Sequence, residues 1–365
     1  MILVSVGPAP GALKAPEICA ELEDSGHGVQ VLLEPHTTVF VGPAAFEGRA
    51  VEKPTARPQA LLFAPATPAT LAKLARGMSG SPALDLWLDA VRPTVAALDA
   101  DADTAAHPAV LQNVRDLRGA GCRVLLGEDG AIVSALEAAN AVLGGLGGPL
   151  SGLRVLVTTG GTREPIDRVR VVSNRSSGKM GRAVAREALR LGAEVTVVAA
   201  NVEEREPGIR WVTVETYAEL EETTLRLARE ADALVMAAAV SDFTPAEVEE
   251  GKIRRGGKKE MDLKLVATGD VLKAVRGSSP GLFVVGFAAT FGDPVGDARE
   301  KLESKGADLM VGNDISLSGS GFGSDENEVH VVGKGGERFV PRASKREVAR
   351  EILDAMAREI GDKER

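Results

Sequence analysis

The sequence has few aromatic residues, few cysteines and no long apolar run, and each shortage excludes a class of protein. Aromatic residues make up 3% of the 365 residues and the formal net charge is −9, so we expect no general nucleic-acid binder. The two cysteines cannot cross-link a chain of this length, and buried thiols are expected rather than a disulfide or a metal pair. No stretch reaches about 18 uninterrupted apolar residues, so no membrane span is expected.

Signals for export and for metal binding are also missing. The opening MILVSVGPAPG has no basic segment ahead of a long apolar run, so no signal peptide is expected and we predict a cytoplasmic protein. The four histidines are scattered without metal-ligand spacing, and no Ser, His and Asp grouping can be identified. The identity of any metal ligand is therefore unknown from the sequence.

Apolar material is ample, and it is organised in two halves. Hydrophobic residues make up 44% of the chain and charged residues 26%, which is enough for two domains of ordinary size. Glycines and a proline at 144–149 form a flexible break before a new strand at Arg154. We therefore predict domains at 1–148 and 149–365.

Both halves alternate short apolar strands with amphipathic helices. This alternation is typical of parallel sheets covered on both faces, so we predict an α/β protein of two doubly wound, Rossmann-like domains, the first flavodoxin-like. The predicted strands are 2–6, 29–33, 60–64 and 123–126 in the first half, and 154–158, 194–199, 211–214, 233–238, 283–287 and 308–312 in the second.

Three polar or glycine-rich segments follow strands of the second half. They read TTGGTREPID at 158–167, AAAVSDFTPAEVEEGKIRRGG at 237–257 and GNDISLSGSGFGSDENE at 312–328. Ligands bind beyond the carboxyl ends of the strands in such sheets. The three segments are therefore predicted to converge on one pocket.

Residues 169–185, VRVVSNRSSGKMGRAVA, change from an apolar strand to a polar helix start. Free backbone N–H groups there favour a phosphate or a carboxylate. An alternative of equal weight is that Ser176 or Ser177 serves only as an N-cap. The segment TTGGT at 158–162 is either a tight turn or a set of backbone amides that face an anion. Neither a Walker loop nor a dinucleotide fingerprint fits.

Residues 154–332 closely resemble the phosphopantothenate–cysteine ligase domain of coenzyme A biosynthesis. The resemblance rests on residues 158–181, 237–253 and 301–316, followed by GFGSDENEV at 321–329. It implies ligation of 4′-phosphopantothenate to L-cysteine through an acyl-cytidylate, with CTP as co-substrate, Mg²⁺ as cofactor and a homodimer formed through this domain. It does not settle CTP against ATP.

The resemblance also assigns residues. Asn174 contacts the acyl-cytidylate, Arg170 supports formation or turnover of that intermediate, and Lys252 opens a basic stretch that handles the triphosphate. The implied nucleotide site comprises Ala237, Ala238, Ala239, Asp242, Lys252, Gly269, Asp270, Val271, Leu272, Phe287, Lys301 and Lys305. The implied phosphopantothenate site comprises Gly160, Gly161, Ser176, Ser177, Gly178 and Lys179.

Some positions depart from the family pattern. Arg254 and Arg255 follow Lys252 where the family has lysines, and Arg keeps the charge without the compact ammonium. Thr290 replaces a family glutamate, which puts a metal-binding or helix-capping role at that position in question.

The first half resembles a degenerate copy of the flavin-dependent phosphopantothenoylcysteine decarboxylase. The resemblance rests on APATPATLAKLARG at 64–77 and HPAVLQNV at 107–114. Residues 51–63 lack the catalytic histidine, Asp101 stands where the family has asparagine, residues 125–140 lack the lid cysteine, and the glycine-rich loop reads GPAPGALK. We expect decarboxylation to be lost, and FMN binding stays open.

Three hypotheses follow. The first is a CTP-dependent ligase that carries an inactive decarboxylase-like domain. The second is a bifunctional enzyme that decarboxylates through repositioned residues. The third is a non-catalytic nucleotide-binding scaffold, which the Thr290 exchange favours.

Overall fold

The chain forms two compact α/β units. The structure is a computed structural model that describes residues 1–127, 131–206, 208–254, 260–316 and 323–363. The first unit comprises Met1–Gly148 with Arg190–Gly192, and the second comprises Pro149–Leu189 with Ala193–Arg365. Within the described ranges, every helix is too short or too polar to cross a bilayer.

The first unit is a five-stranded parallel sheet with helices on both faces. Its strand order, β2-β1-β3-β4-β5, is the flavodoxin-like order. The strands are β1 (Ile2–Val6), β2 (Val29–Leu33), β3 (Ala60–Ala66), β4 (Thr94–Leu98) and β5 (Cys122–Leu125). The helices are α1 (Ala15–Glu23), α2 (Pro68–Ala75), α3 (Pro82–Leu88), α4 (Ala102–Ala106), α5 (Pro108–Gly119) and α6 (Ala135–Gly145).

Two apolar cores cover the faces of this sheet. Ile2 and Val4 belong to one core and Leu3, which lies between them, belongs to the other, because successive strand residues point to opposite faces. Strand β4 was not predicted: its sequence, TVAAL, follows a proline and contains two alanines, which have weak strand preference. Its five residues are nevertheless buried between two neighbouring strands.

The second unit is built on an eight-stranded sheet of order β10-β9-β6-β11-β14-β15-β16-β17. Its strands are β6 (Arg154–Gly160), β7 (Arg163–Pro165), β8 (Val171–Ser173), β9 (Glu194–Ala200), β10 (Arg210–Val214), β11 (Ala233–Met236), β12 (Phe243–Pro245), β13 (Leu265–Ala267), β14 (Phe283–Thr290), β15 (Leu309–Asp314), β16 (Glu326–Gly333) and β17 (Gly336–Ser344). Its helices are α7 (Lys179–Arg190), α8 (Tyr217–Ala228), α9 (Val271–Ser278), α10 (Pro294–Lys305) and α11 (Lys345–Lys363).

Six parallel strands of this sheet follow the doubly wound 3-2-1-4-5-6 order, which confirms the predicted fold class. The expectation of purely parallel sheets was wrong at one edge, where β15, β16 and β17 pair antiparallel. For β16 and β17 the reason is the short connection between Gly333 and Gly336, since so few residues can close a hairpin but cannot return a chain for parallel pairing. Two further antiparallel pairs, β7–β8 and β12–β13, were also not predicted.

The strand order reverses between β6 and β11, and the chain leaves both strands side by side. Ala237 N–H donates to the Thr158 carbonyl at 3.2 Å, and Ala239 N–H donates to the Gly160 carbonyl at 2.8 Å. These bonds extend the parallel pairing beyond the ends of the strands. The segments after β6 and β11 therefore meet at the position where doubly wound sheets bind ligands.

Candidate functional site

Helix α7 begins at the polar stretch that follows β8. Arg182 N–H donates to the Gly178 carbonyl at 3.1 Å, which makes Gly178 the N-cap residue. The Ser176 hydroxyl accepts from Gly178 N–H at 3.3 Å, so this bond lies just before the first residue of the helix. The alternative in which Ser176 or Ser177 is itself the N-cap is thus replaced by a glycine cap, and both serines lie in the loop before the helix.

Gly178 and Gly160 allow this loop to lie close to strand β6. Both have positive φ, 75° and 86°, a region that side chains rarely adopt. A Cβ on Gly160 would lie 2.0 Å from the Ala200 carbonyl oxygen. Gly161 N–H donates to the same Ala200 oxygen at 3.1 Å. Gly160 and Gly161 therefore support the cavity floor from behind, and neither is among the described residues that line it.

A cavity of about 310 Å³ opens at the start of α7. Its wall brings together residues from the end of β8 to the start of α7, residues that follow β11, and residues within the last part of β14 and β15, with additions from β16 and α11. The lining residues are Asn174, Ser176, Ser177, Gly178, Lys179, Met180, Gly181, Ala237, Ala238, Ala239, Val240, Asp242, Phe287, Ala289, Asn313, Asn327 and Lys345.

Asn174 is held by the segment after β11. Its side-chain amide donates to the Val240 carbonyl at 3.0 Å. That segment is itself fixed, because Ser241 N–H donates to the buried Thr162 hydroxyl at 3.0 Å. The carboxamide oxygen of Asn174 is therefore presented in a defined orientation within the cavity.

A second cavity of about 400 Å³ adjoins the first, and four residues line both: Ala238, Val240, Asp242 and Phe287. The remaining lining residues of the second cavity are Met236, Thr268, Gly269, Asp270, Val271, Leu272, Lys301, Lys305 and Met310. The exposed Asp242 carboxylate thus lies at the junction.

Lys301 and Lys305 lie four residues apart on one face of α10, and both line the second cavity. The Lys305 ammonium binds the Asp270 carboxylate, which also caps α9 by accepting from Lys273 N–H at 3.2 Å. Burial alone would raise the pKa of Asp270, but Lys305 and the backbone N–H more than offset it and hold the pKa below its usual range.

Gly269 leaves room for a tyrosine beneath the second cavity. A Cβ at this position would lie 2.3 Å from the Tyr217 hydroxyl oxygen. Burial and the hydrogen bond to Glu221, 2.5 Å long, raise the pKa of Tyr217 to about 12. The tyrosine is therefore a neutral support for the loop that leads into α9.

Arg170 and Lys252 lie outside the lining of both cavities. The Arg170 guanidinium binds the Asp167 carboxylate at 2.6 Å and the Ile253 carbonyl at 3.2 Å. Asp167 is buried and also accepts from Ile253 N–H at 3.0 Å. Arg170 therefore anchors the segment that carries Lys252, whose side chain is exposed. Arg255, the next position of the predicted basic stretch, lies outside the described residues.

Burial at the Asp167 carboxylate would raise its pKa. Hydrogen bonds from three backbone N–H groups, together with the Arg170 charge, more than compensate and hold the pKa of Asp167 low. A permanently ionised carboxylate therefore organises this loop.

Three polar residues that line the first cavity were missed by the sequence reasoning, as were Met180, Gly181, Val240 and Ala289. Asn313 and Asn327 are 8% and 4% exposed, and Lys345 is 8% exposed at the start of α11. The sequence did contain a signal for the two asparagines, because both lie in the polar segment 312–328 that was predicted to contribute to the pocket. No sequence signal pointed to Lys345, because a sequence does not show that a C-terminal helix begins beside a pocket formed by residues far earlier in the chain.

Thr290 is buried at the end of β14, and its hydroxyl lies 3.4 Å from the Asn313 carbonyl oxygen. Helix α10 is capped by another residue, since the Asp293 carboxylate accepts from Val295 and Gly296 N–H. The exchange at position 290 therefore leaves the helix cap intact.

In the first unit, two carboxylates follow strand β4 and bind backbone N–H groups. Asp99, which follows β4, accepts from Gly11 N–H in the glycine-rich loop at 2.7 Å. Asp101 caps α4 by accepting from Thr104 N–H at 2.8 Å, and this bond lowers the pKa of Asp101. Both cysteines, Cys19 and Cys122, are buried free thiols, as expected, and burial raises the pKa of each to about 12.

Comparison with known proteins gives matches over both units. Residues 150–360 match the family described as the DNA/pantothenate metabolism flavoprotein C-terminal domain. The coenzyme A biosynthesis bifunctional protein CoaBC of Mycolicibacterium smegmatis is 34% identical, over 98% of this chain and 97% of its own length. A cysteine/cysteine sulfinic acid decarboxylase from an unknown prokaryotic organism is 34% identical, over 80% of this chain and 87% of its own.

One solved structure extends the likeness to three dimensions. The crystal structure of the C-terminal domain of a coenzyme A biosynthesis bifunctional protein CoaBC is 33% identical, with a TM-score of 0.50. It covers 59% of this chain and 98% of that domain.

Proposed function

We propose, since this chain belongs to the family of the coenzyme A biosynthesis bifunctional proteins CoaBC, that its second unit joins 4′-phosphopantothenate to L-cysteine at the expense of CTP. One observation carries the proposal: two adjoining cavities lie at the carboxyl ends of the strands, with Asn174 in one, Lys301 and Lys305 in the other and Asp242 in both. A reaction between two anionic substrates needs such an arrangement.

The chemistry has two steps. The carboxylate of 4′-phosphopantothenate attacks the α-phosphorus of CTP, and pyrophosphate leaves to give an acyl-cytidylate. The amine of cysteine then attacks the acyl carbonyl, loses a proton and releases CMP. Both steps develop negative charge on oxygen, so fixed donors and close positioning supply most of the catalysis.

In this scheme the first cavity holds phosphopantothenate. The loop of Ser176, Ser177 and Gly178 at the start of α7 receives its phosphate, because backbone N–H groups and the partial positive charge of a helix N-terminus favour anions. The Asn174 carboxamide faces the acyl group, held by its bond to Val240.

The second cavity holds the nucleotide. Lys301 and Lys305 contact the phosphates, and Asp242 hydrogen-bonds the ribose or the base at the junction of the two cavities. Ala237, Ala238, Ala239 and Phe287 shape the nucleoside pocket, and the backbone of residues 269–272 closes its far side.

Arg170 acts in this proposal as a positioning residue. It holds Ile253 and, through it, the exposed Lys252, so that Lys252 reaches a bound triphosphate. Loss of Arg170 should therefore affect the same step as loss of Lys252.

Mg²⁺ enters as the partner of the nucleotide phosphates, whose charge it neutralises when bound. Within the described ranges no group of three or more His, Cys, Asp or Glu side chains is arranged to hold a metal ion. Mg²⁺ in nucleotide enzymes is commonly bound by substrate phosphates with one or two carboxylates, so the nucleotide phosphates would supply most of its ligands.

A homodimer through the second unit is also proposed. Apolar side chains are exposed on the paired strands β7–β8 and β12–β13 and beside them, and such patches commonly mark protein contacts. They include Val169, Val171, Phe243, Val248, Leu265 and Val266. Analytical ultracentrifugation of wild type and Phe243→Asp tests this. The same mass for wild type and variant would contradict the proposed interface.

For the first unit we propose that decarboxylation and FMN binding are lost. In the flavodoxin-like order, FMN binds where β1 and β3 diverge. Here the Asp99 carboxylate accepts from Gly11 in that loop, and a fixed negative charge opposes an anionic cofactor. The residues present do not fit FMN, so no step is assigned to it.

The decisive experiment incubates the purified protein with phosphopantothenate, cysteine, Mg²⁺ and either CTP or ATP, with mass detection of products. Phosphopantothenoylcysteine with CMP supports the ligase. Absence of nucleotide-dependent product would favour a scaffold, and a yellow protein that releases CO₂ from phosphopantothenoylcysteine would favour a bifunctional enzyme.

A further inference from the structure

The first cavity has a second lysine that neither the sequence reasoning nor the helix geometry assigns. Lys345 is the first residue of α11, it is 8% exposed and it lines the wall together with Lys179. Two ammonium groups on one wall repel each other, and each needs a counter-charge.

The position of Lys345 is fixed by its helix. Ser344 and Glu347 form a reciprocal cap: the Glu347 carboxylate accepts from Ser344 N–H at 3.0 Å, and Glu347 N–H donates to the Ser344 hydroxyl at 3.3 Å. One turn further on, Val348 and Ile352 are fully buried. The backbone that carries Lys345 is therefore rigid.

Asp325, which is exposed, supplies negative charge beside both lysines. The Lys179 ammonium binds the Asp325 carboxylate at 2.7 Å and the Gly323 carbonyl at 3.2 Å. The Asp325 side chain is 87% exposed, and its backbone carbonyl accepts from Lys345 N–H at 3.0 Å. The Asp325 carboxylate is thus bound to Lys179, and its charge also acts on the Lys345 ammonium.

Burial lowers the pKa of the Lys345 ammonium, and the nearby Lys179 charge lowers it further, while Asp325 acts in the opposite direction. Lys179 holds the pKa of Asp325 below its usual range. This cluster would be better balanced by a group with two negative charges, such as a phosphate monoester at neutral pH.

We propose that Lys345 and Lys179 form a dianion subsite that selects the phosphorylated form of the pantothenate substrate, and that Asp325 is an internal anion which the substrate phosphate replaces. The proposal rests on the proposed function and adds a specificity residue to it. On binding, the phosphate takes both ammonium groups, and Asp325 turns to solvent without being buried unpaired.

Lys345→Met tests the subsite because it keeps the length of the apolar stem and removes the charge. The KM for phosphopantothenate should rise about 10- to 100-fold, which is the cost of one charge-assisted hydrogen bond, while the KM for CTP is unchanged. Lys345→Arg should recover part of the affinity. The matched control is Lys334→Met, an exposed lysine in the β16–β17 turn, which should behave as wild type.

Asp325→Asn tests the internal anion on an exposed residue and does not depend on the folding of the Lys345 variants. It should strengthen the inhibition by inorganic phosphate, competitive against phosphopantothenate, by a few fold. Unchanged or weaker inhibition by phosphate would overturn the role of Asp325.

The two proposals fail differently. A wild-type protein that makes no nucleotide-dependent product removes the ligase. A wild-type ligase whose KM for phosphopantothenate is the same in folded Lys345→Met, or whose CTP affinity falls equally, removes the subsite alone.

Discussion

The two units share one layered architecture and differ in what lies at the carboxyl ends of their strands. In the first unit, Asp99 accepts from the glycine-rich loop and Asp101 caps a short helix. In the second, Asn174, Asp242 and Lys301 line open cavities. A doubly wound sheet therefore offers a location for a site, and the few residues that follow its strands decide whether that location binds a ligand.

The strongest way to break this comparison is to alter one residue in each unit. Asn174→Asp replaces the donor to Val240 with a carboxylate inside an anion site. We expect CTP-dependent pyrophosphate release to fall at least about 100-fold, because the added charge repels anionic substrates and the bond that positions the side chain is lost.

Asp101→Asn is the matched change in the first unit, since it installs the family's asparagine while keeping a good N-cap. It should leave ligation unchanged and restore no decarboxylation. Asn174→Asp activity within about tenfold of wild type, or decarboxylation by Asp101→Asn, would contradict the assignment.

The nucleotide cavity should respond next. Lys301→Met and Lys305→Met each remove a cation from the cavity wall, and the KM for CTP should rise about tenfold in each. Lys53→Met, an exposed change in the first unit, is the control. An unchanged KM for CTP in both variants would move the triphosphate elsewhere.

Lys305→Met should also change how stability depends on pH. The folded-state pKa of Asp270 is lowered in part by Lys305, so this pair contributes stability that is present above the unfolded pKa of about 3.9. That contribution is lost as the pH falls through the lowered value. Acid unfolding monitored by circular dichroism should show a smaller loss in the variant than in wild type.

The close approach of Asp99 to the glycine-rich loop predicts a stability effect confined to the first unit. A Cβ at Gly11 would lie 2.7 Å from both Asp99 Oδ2 and Ile132 Cγ2, so Gly11→Ala should cost about 1–3 kcal/mol of unfolding free energy. In Gly144→Ala nothing lies within 4 Å of the new Cβ in helix α6, and stability should rise by about 0.5–1 kcal/mol. Urea unfolding measures the two stability changes, and the ligase assay should be unaffected by either substitution. A loss of ligation in folded Gly11→Ala would contradict an effect confined to the first unit.

The smallest expected effect concerns the thiols of the first unit. Cys19 and Cys122 are 0% and 2% exposed, so neither should react with a thiol reagent at about pH 8 unless the unit unfolds. Because burial raises both pKa values from 9.0 to about 12, their contribution to stability is complete below pH 9.0 and declines as the pH rises toward about 12. Rapid labelling of either native thiol would contradict the burial.

The sequence predicted the regular parts well. Strands β1, β2 and β6 were placed within two residues, because a short apolar run bounded by turn residues is a strong local signal. Strand β4 was missed because its alanines carry little strand preference. The antiparallel edge was missed because pairing direction depends on a turn whose consequences are not local.

The candidate site likewise has residues that the sequence predicted and placements that it could not predict. Consecutive strings such as 158–181 and 237–253 carried the family resemblance, and they also hold Asn174 and Asp242, which line one cavity. The placement of Gly160 and Gly161 behind that cavity was not predictable, since the Ala200 carbonyl that accepts from Gly161 N–H comes from another strand.

The amino-acid sequence by itself determined the alternation of strands and helices, the two halves and the family, because each depends on patterns between near neighbours. Tertiary structure alone decided that Asp99 would bind the first glycine-rich loop and that Lys345 would line the same cavity as Lys179. Those outcomes depend on residues far apart in the chain, and only packing of the sheets and helices brings such residues within reach.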